Sequence, residues 1–343
     1  MVDQPTITFA AIGLDHRHIY HQVGRLLELG CRCKGYWTGG ASVSLEGFRR
    51  RFPDLQAVAE RKTLLEDESV QLIVTAGIPN ERASIAIESL RLGKDVMGDK
   101  PGVTSLDQLE AIKRAVAETG RIWSINFSER FEVKAVGMAA RLIDRGDIGR
   151  VVQIAGFGPH RLNKPTRPDW FFDPARYGGI LCDIASHQVD QFLFLTGSTD
   201  AQIVASTVAN YANPETPGLE DFGEMMIRSD RGHGYIRVDW YTPDGLSNWG
   251  DGRLTILGTE GYLELRKYVD IAGRKGTDHL FLVDGEGEHY VDTSDVELLY
   301  YPALVNDVLE RTQTAMAQSH TFKVTELALL AQSRATRLGH LTP

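Results

Sequence analysis

Residues 6–30 read TITFAAIGLDHRHIYHQVGRLLELG, and how this stretch divides decides the fold. Residues 6–12 are a short β-rich run, residues 19–29 are helix-periodic, and Gly30 closes the pair. Between them lies the corner from Gly13 to His18. In a strand-to-helix turn that binds a dinucleotide, glycines let the backbone reach positive φ and let a pyrophosphate approach the amides of the helix N-terminus. Of the three glycines in G-x-G-x-x-G only Gly13 is present; Asp15 and His18 stand at the other two positions. The Asp15 carboxylate would face a diphosphate, while His16, Arg17 and His18 bring one permanent and two titratable positive charges to the same turn. Two readings stay open at this point, a modified phosphate turn and a plain corner with a solvated charge cluster.

Moving outward, the same strand-helix alternation repeats through about residue 125. Strands are expected at 31–37, 70–75, 95–97 and 121–127, with helices between them ending at glycines such as Gly93. Ser105 and Gln108 read as a capping box for a helix to about Glu118, with Leu106, Leu109, Ile112 and Val116 as its buried stripe. Short connections between such elements imply a doubly wound parallel sheet. Beyond residue 126 the pattern changes. Helices at 131–145 and 180–195 are followed by β runs at 201–210, 221–229, 233–241, 253–257, 261–265 and 279–283, then helices at 303–317 and 324–337. Successive strands of this kind predict a mostly antiparallel sheet with helices on one face. The expected architecture is an α/β domain at 1–125 and an α+β domain at 126–343.

A chain of 343 residues, 42% hydrophobic and 24% charged, has room for two such cores. Its formal net charge of −9 argues against nucleic acid or an anionic membrane surface as a partner. Three cysteines give no disulfide framework, and Cys31 and Cys33 read as buried thiols on a strand. No signal peptide and no membrane-length apolar run is seen, so a cytoplasmic address is expected.

Two further stretches carry possible chemistry. Asp99-Lys100-Pro101 ends the strand at 95–97, and the carboxyl ends of parallel strands are where ligands gather. Lys100 there is a candidate proton acceptor or an exposed loop lysine. In YGGILCDIASHQVD (177–190), Asp183, His187 and Asp190 fall at i, i+4 and i+7, along one face if the helix is continuous. Such a stripe serves as an acid/base pair, a structural Asp-His-Asp network or part of a metal site. No Cys or Glu cluster completes the last, and no metal is expected.

In this order and spacing, the motifs resemble those of the Gfo/Idh/MocA oxidoreductases, the family of glucose-fructose oxidoreductase and inositol dehydrogenase. Asp99-Lys100-Pro101 is similar to the family's E-K-P, and Gly178, Gly179, Asp183, His187 and Asp190 to its G-G-x-x-x-D-x-G-x-H-x-x-D helix. Ile78-Pro79-Asn80 resembles a T-P-N turn, and Gly258-Thr259-Glu260-Gly261 a G-T-E-G turn. The resemblance implies a Rossmann domain, a second domain whose open sheet makes a homodimer or homotetramer, and NAD(P)-dependent oxidation of a secondary hydroxyl of a sugar, inositol or polyol, or the reverse. It implies Lys100, Asp183 and His187 as the catalytic group, with Asp183 positioning and Lys100 or His187 taking the proton.

By the same resemblance the cofactor would be held by Gly13, Leu14, Asp15, His16, Arg17, His18, Thr38, Gly39, Pro79, Asn80, Asp99, Lys100 and Pro101. The substrate would meet Lys100, Asp183, His187, Tyr177 and the segment carrying His160, Arg167 and Trp170. The chain departs from the family pattern at Asp99, shorter than glutamate, and at Tyr177 and Ala185, which replace glycines. The end of the second strand reads Trp37-Thr38-Gly39-Gly40 with no acid to repel a 2′-phosphate, and Arg49, Arg50 and Arg51 follow, which tilts the expectation from NAD toward NADP. Two other functions fit the same motifs: a regulatory NAD(P)-binding protein without turnover, and a lyase or hydrolase that oxidises its substrate transiently on a bound cofactor.

Overall fold

A computed structural model of the chain describes residues 6–40 and 42–339. Residues up to Asn126 form one compact unit with Ala175–Gly178 and Leu299–Thr325, and the remainder forms a second. The first unit holds five strands, β1 (Thr8–Ile12), β2 (Arg32–Trp37), β3 (Leu72–Thr75), β4 (Asp95–Asp99) and β5 (Trp123–Asn126), all parallel in the order β2-β1-β3-β4-β5. Every residue of β3, β4 and β5 is buried, as a sheet covered on both faces requires. The helix over Leu106–Thr119 starts as expected, with the Ser105 hydroxyl accepting the Gln108 amide at 3.2 Å. Its buried stripe is Leu109, Ile112 and Ala115; Leu106, expected to be buried, is 38% exposed because it sits at the first helical position before the face turns inward.

β5 is an edge strand, and the polypeptide returns late to finish it. Gln318 pairs with both backbone groups of Trp123, each bond 2.8 Å, standing in for a neighbouring strand. Arg311 grips Asp95 of β4 at 2.6 and 2.9 Å. The helix expected at 303–317 runs over Tyr300–Glu310 instead, because Pro302 is tolerated in a first turn and Arg311 stops the helix at φ 58°. Asp307 then accepts the amides of Thr314 and Ala315, and the next helix begins at Gln318 and ends at Arg334.

The second unit contains β6 (Val151–Pro159), β7 (Gln202–Ala209), β8 (Phe222–Arg228), β9 (His233–Asp239), β10 (Arg253–Gly258), β11 (Tyr262–Arg266), β12 (His279–Val283), β13 (Glu288–Val291) and β14 (Thr336–Arg337). They pair in the order β13-β12-β11-β10-β6-β9-β8-β7-β14, antiparallel except at β6–β9 and β7–β14. One face buries Met225, Ile227, Ile236, Val238, Leu254, Ile256, Leu263 and Leu265, and the helices Lys134–Arg145 and Ala185–Thr196 pack against the sheet. The strand registers put Phe157, Met226, Tyr235, Leu257, Tyr262 and Phe281 together on the opposite face. Thr259 of the G-T-E-G turn closes the β10–β11 hairpin and accepts the Arg150 amide at 3.0 Å, a structural role.

Two expected helices are broken. The stretch at 131–145 divides into Ser128–Phe131 and Lys134–Arg145. The stretch at 180–195 divides into Ile180–Asp183 and Ala185–Thr196, with Ile184 at the joint at φ −102° and ψ −50°. Asp183 and His187 therefore lie on two successive helical segments, joined at a residue whose backbone stays in the right-handed helical region.

Candidate active site

The first unit gathers the expected cofactor residues at one edge of its sheet, the carboxyl ends of the strands. Gly13 to His18 join β1 to the helix His18–Glu28, Thr38 and Gly39 follow β2, Pro79 and Asn80 lie in a short 3-10 turn after β3, and Asp99-Lys100-Pro101 ends β4. The corner is tightly built. Gly13 has φ +79°, and a Cβ there would lie 2.9 Å from the Gly77 Cα, so only glycine lets the turns after β1 and β3 meet. The Leu14 amide donates to the Thr38 hydroxyl at 3.3 Å and the His16 amide to the Ala76 carbonyl at 2.8 Å.

Asp99 is the centre of this edge. It is 1% exposed, and Nδ1 of His18 and Nδ1 of His16 approach its two oxygens at 2.8 and 3.2 Å. Burial works against its charge, but His18, Arg82 and the two imidazole bonds outweigh burial and hold the carboxyl well below the usual range. Burial, assisted by His18, pushes His16 down to about 3. His16 and His18 of the Gly13 corner therefore serve the acid of the Asp-Lys-Pro turn. His16, His18 and Asp99 also place three metal-type ligand atoms within 4.8 Å of one another, a cluster that sequence reading missed. Arg82 shares the same carboxylate, so three cationic or donor groups already account for it.

Arg82 is the residue that no motif announced. Only 2% exposed, it donates Nε to the Gly77 carbonyl at 2.7 Å and Nη1 to the carbonyls of Asp99, Lys100 and Pro101 at 2.9, 2.7 and 2.8 Å. Nη2 reaches Asp99 Oδ2 at 3.2 Å. One guanidinium thus fixes the backbone that presents Lys100, itself 5% exposed. Its legible signal was position: an arginine three residues after Pro79, on a helix whose other buried residues are small or apolar.

The residues fit a dinucleotide in part. Asn80 Oδ1 is buried with no hydrogen-bond partner, an acceptor left for a donor from outside the chain. Asp15, the objection to a diphosphate, accepts the Ile78 amide, and burial together with the Glu81 charge pushes its carboxyl up to about 6. At pH 7 such a carboxyl is still mostly ionised, so its charge faces a diphosphate and is lost only on mild acidification. Arg50 is paired with Glu46 at 2.7 Å and Arg49 donates to the Tyr36 hydroxyl at 3.1 Å, so the arginine run is partly committed to its own helix and strand.

The second unit holds Asp183, His187, His160, Arg167 and Trp170, whereas Lys100 and Tyr177 belong to the first. His187 is 2% exposed, with the Phe127 ring 6.2 Å away. Asp190 is engaged by Arg130 in a two-pronged ion pair, 2.7 Å at each oxygen, which makes it structural. Arg167 donates to the carbonyls of Leu162 and Arg161 and stacks on Phe171 and Trp240 at 4.5 and 4.9 Å, so it braces its own loop. Trp170 and Tyr177 are 8% and 2% exposed, and His160 lies 4.6 Å from the Trp249 ring. Sequence reading also missed Glu129 and Lys267, a wholly buried ion pair at 2.6 Å. Burial would raise the Glu129 carboxyl, but Lys267, His187 and His160 hold it down to about 2.

Residues 42–127 match the model of the oxidoreductase family with an NAD-binding Rossmann fold, and residues 136–264 match the GFO/IDH/MocA C-terminal domain. The chain is 47% identical to a solved structure from Erwinia carotovora atroseptica SCRI1043 whose oxidoreductase assignment is itself provisional; the match covers 97% of this chain and 100% of that one, with a TM-score of 0.94. It is also similar to scyllo-inositol 2-dehydrogenase (NAD(+)) of Bacillus subtilis, 27% identical over 235 residues, covering 64% of each chain. A second Bacillus subtilis relative, scyllo-inositol 2-dehydrogenase (NADP(+)) IolW, is 26% identical over 174 residues, 50% of this chain and 47% of that enzyme. The matches thus span less than two thirds of the length of either dehydrogenase. Two successive family models and the full-length likeness place this chain in the Gfo/Idh/MocA family of oxidoreductases, which bears out the expected fold and family. No helix among the described residues is long and apolar enough to cross a membrane.

Proposed function

We propose that this chain is an NAD(P)-dependent dehydrogenase or reductase acting on a secondary hydroxyl or ketone of a sugar, inositol or related polyol. The observation that carries the reading is the locked Asp99-Lys100-Pro101 turn, which sits on the same strand-end edge as the Gly13 corner and is fixed from behind by Arg82. A bound nicotinamide supplies the two-electron chemistry, and the protein supplies alignment and proton transfer. Gly13 to His18, Thr38, Gly39, Pro79, Asn80 and Asp99 are the residues to hold it. Lys100 or His187 takes the hydroxyl proton, and Asp183 positions the machinery. His160 is the loop residue best suited to touch substrate, since Arg167 is occupied by its own loop.

NADP is favoured over NAD because no carboxylate stands at the end of β2 to repel a 2′-phosphate. The outward face of the nine-stranded sheet, with Met226 52% and Leu257 43% exposed, is assigned to a second copy of the chain. The deciding experiment titrates NAD(H) and NADP(H) separately into the purified protein and its Lys100→Ala variant, then screens polyols for change in nicotinamide absorbance. Saturable binding with Lys100-dependent turnover is expected; absence of binding at millimolar cofactor would sink the reading.

A further inference from the structure

Gln188 lies directly after His187, and its side chain runs across β6 where Gly156 and Gly158 leave space. A Cβ at Gly158 would fall 2.9 Å from Gln188 Nε2, and one at Gly156 3.1 Å from Gln188 Cγ. The two glycines thus admit a long polar side chain into a buried position. Gln188 Nε2 donates to Glu129 Oε2 at 2.9 Å, and Lys267 Nζ donates to the same oxygen at 2.6 Å. Both donors converge on one carboxylate oxygen. Glu129 Oε1 and Gln188 Oε1 are left buried without any hydrogen-bond partner, in side chains only 2% and 1% exposed.

An orphaned buried acceptor is costly, and two held by one hydrogen-bonded group call for donors from outside the chain. His160 and His187 are near enough for their fields to act on Glu129. Beside Lys267 in sequence, Tyr268 packs at a tilt against Trp249 at 4.7 Å, and Trp249 in turn against His160 at 4.6 Å, so a row of rings leads from this group toward His160. Rings that take the C–H face of a sugar and acceptors that take its O–H groups are complementary to one ligand chemistry.

We infer that Glu129 Oε1 and Gln188 Oε1 form a hydroxyl-accepting subsite that selects neutral polyols and rejects sugar acids. The inference rests on the dehydrogenase reading above and narrows its substrate class. A carboxylate oxygen accepts hydroxyl donors but repels a second carboxylate, so an aldonate or uronate is excluded by charge.

The test titrates scyllo-inositol and D-glucuronate calorimetrically into the full-length protein, with saturating NADPH or NADH present, for wild type, Glu129→Gln and the charge-balanced double variant Glu129→Gln/Lys267→Met. Wild type should bind the polyol at least about tenfold more tightly than the acid, the scale of a hydrogen bond to a charged group. Both variants should lose most of that discrimination, and the double variant keeps the comparison valid should an unpaired Lys267 unfold the single one. A wild type that prefers the acid or binds no neutral polyol overturns the inference. So does a folded variant with wild-type discrimination, which would mean that the two oxygens hold a structural water only. Hydride transfer is assayed in parallel: polyol turnover with an indifferent Glu129 variant sinks the subsite alone, and Glu129-dependent binding without turnover sinks the dehydrogenase reading alone.

Discussion

Arg82 makes at least five hydrogen bonds with one side chain, among them four to carbonyls of the turns after β3 and β4. Replacing it by Met leaves those carbonyls without a donor and Asp99 without its guanidinium, so Arg82→Met should lose about 3–5 kcal/mol in urea unfolding. Arg82→Lys keeps the charge but cannot span four carbonyls, and it should recover less than half of the loss; full recovery would show that charge rather than geometry matters. Asp15 gives a prediction of the opposite sign. Its folded carboxyl is raised from 3.8 to about 6, so its contribution to stability is complete below about pH 3.8 and is lost as the pH rises through about 6. Asp15→Asn removes the burden, and its melting temperature should exceed wild type at pH 8, by up to about 3 kcal/mol of stability, with the gap closing toward pH 5. A gap independent of pH would refute that account. The same variant should bind NAD(P) more tightly at pH 8, because the charge facing the phosphates is gone.

At the scale of elements, the glycine corners separate two causes of intolerance. Gly13 and Gly120 have φ of +79° and +64°, but a Cβ at Gly120 meets nothing within 4 Å whereas one at Gly13 meets the Gly77 backbone at 2.9 Å. Gly120→Ala should cost about 1–2 kcal/mol, the price of left-handed geometry alone, and Gly13→Ala clearly more, together with loss of cofactor binding in a titration. Equal costs would remove the close approach from the argument. The same elements show what could be read beforehand. Strand-helix alternation, the Ser105 cap and the β runs from residue 201 to 283 are local patterns of period two or 3.6, and they appear where expected. The joint at Ile184 was hidden because its backbone stays in the helical region and buried residues run through both halves, so no change of periodicity marks it. Gln318 on β5, Arg311 on Asp95 and Lys267 on Glu129 join residues more than 100 positions apart, and nothing local encodes such partners. The candidate site was proposed from motifs, while the groups that brace those motifs left no local signal.

For the whole molecule the open question of assembly turns on one sheet face. Register brings Phe157, Met226, Tyr235, Leu257, Tyr262 and Phe281 to the face opposite the helices, and Met226, Leu257 and Tyr262 are 52%, 43% and 41% exposed. A single exposed leucine is ordinary, but a band of large apolar side chains on six neighbouring strands, interspersed with polar ones, marks an interaction surface. Polar groups on that face are largely settled among themselves: Tyr235 donates to Glu224 at 2.6 Å and Arg266 to Glu264 at 2.8 Å. Such internally paired charges cost little to cover, which favours burial against a like surface with its own pairs satisfied, as a two-fold symmetric interface supplies. Light scattering after size exclusion should therefore report a dimer or tetramer for wild type. Met226→Asp/Leu257→Asp places two charges in the centre of the band, far in sequence from Lys100 and His187, and should yield a monomer that still binds NAD(P). If the double variant keeps the wild-type mass, the band is not the assembly surface, and a wild type that is monomeric at micromolar concentration would leave that face to a different protein.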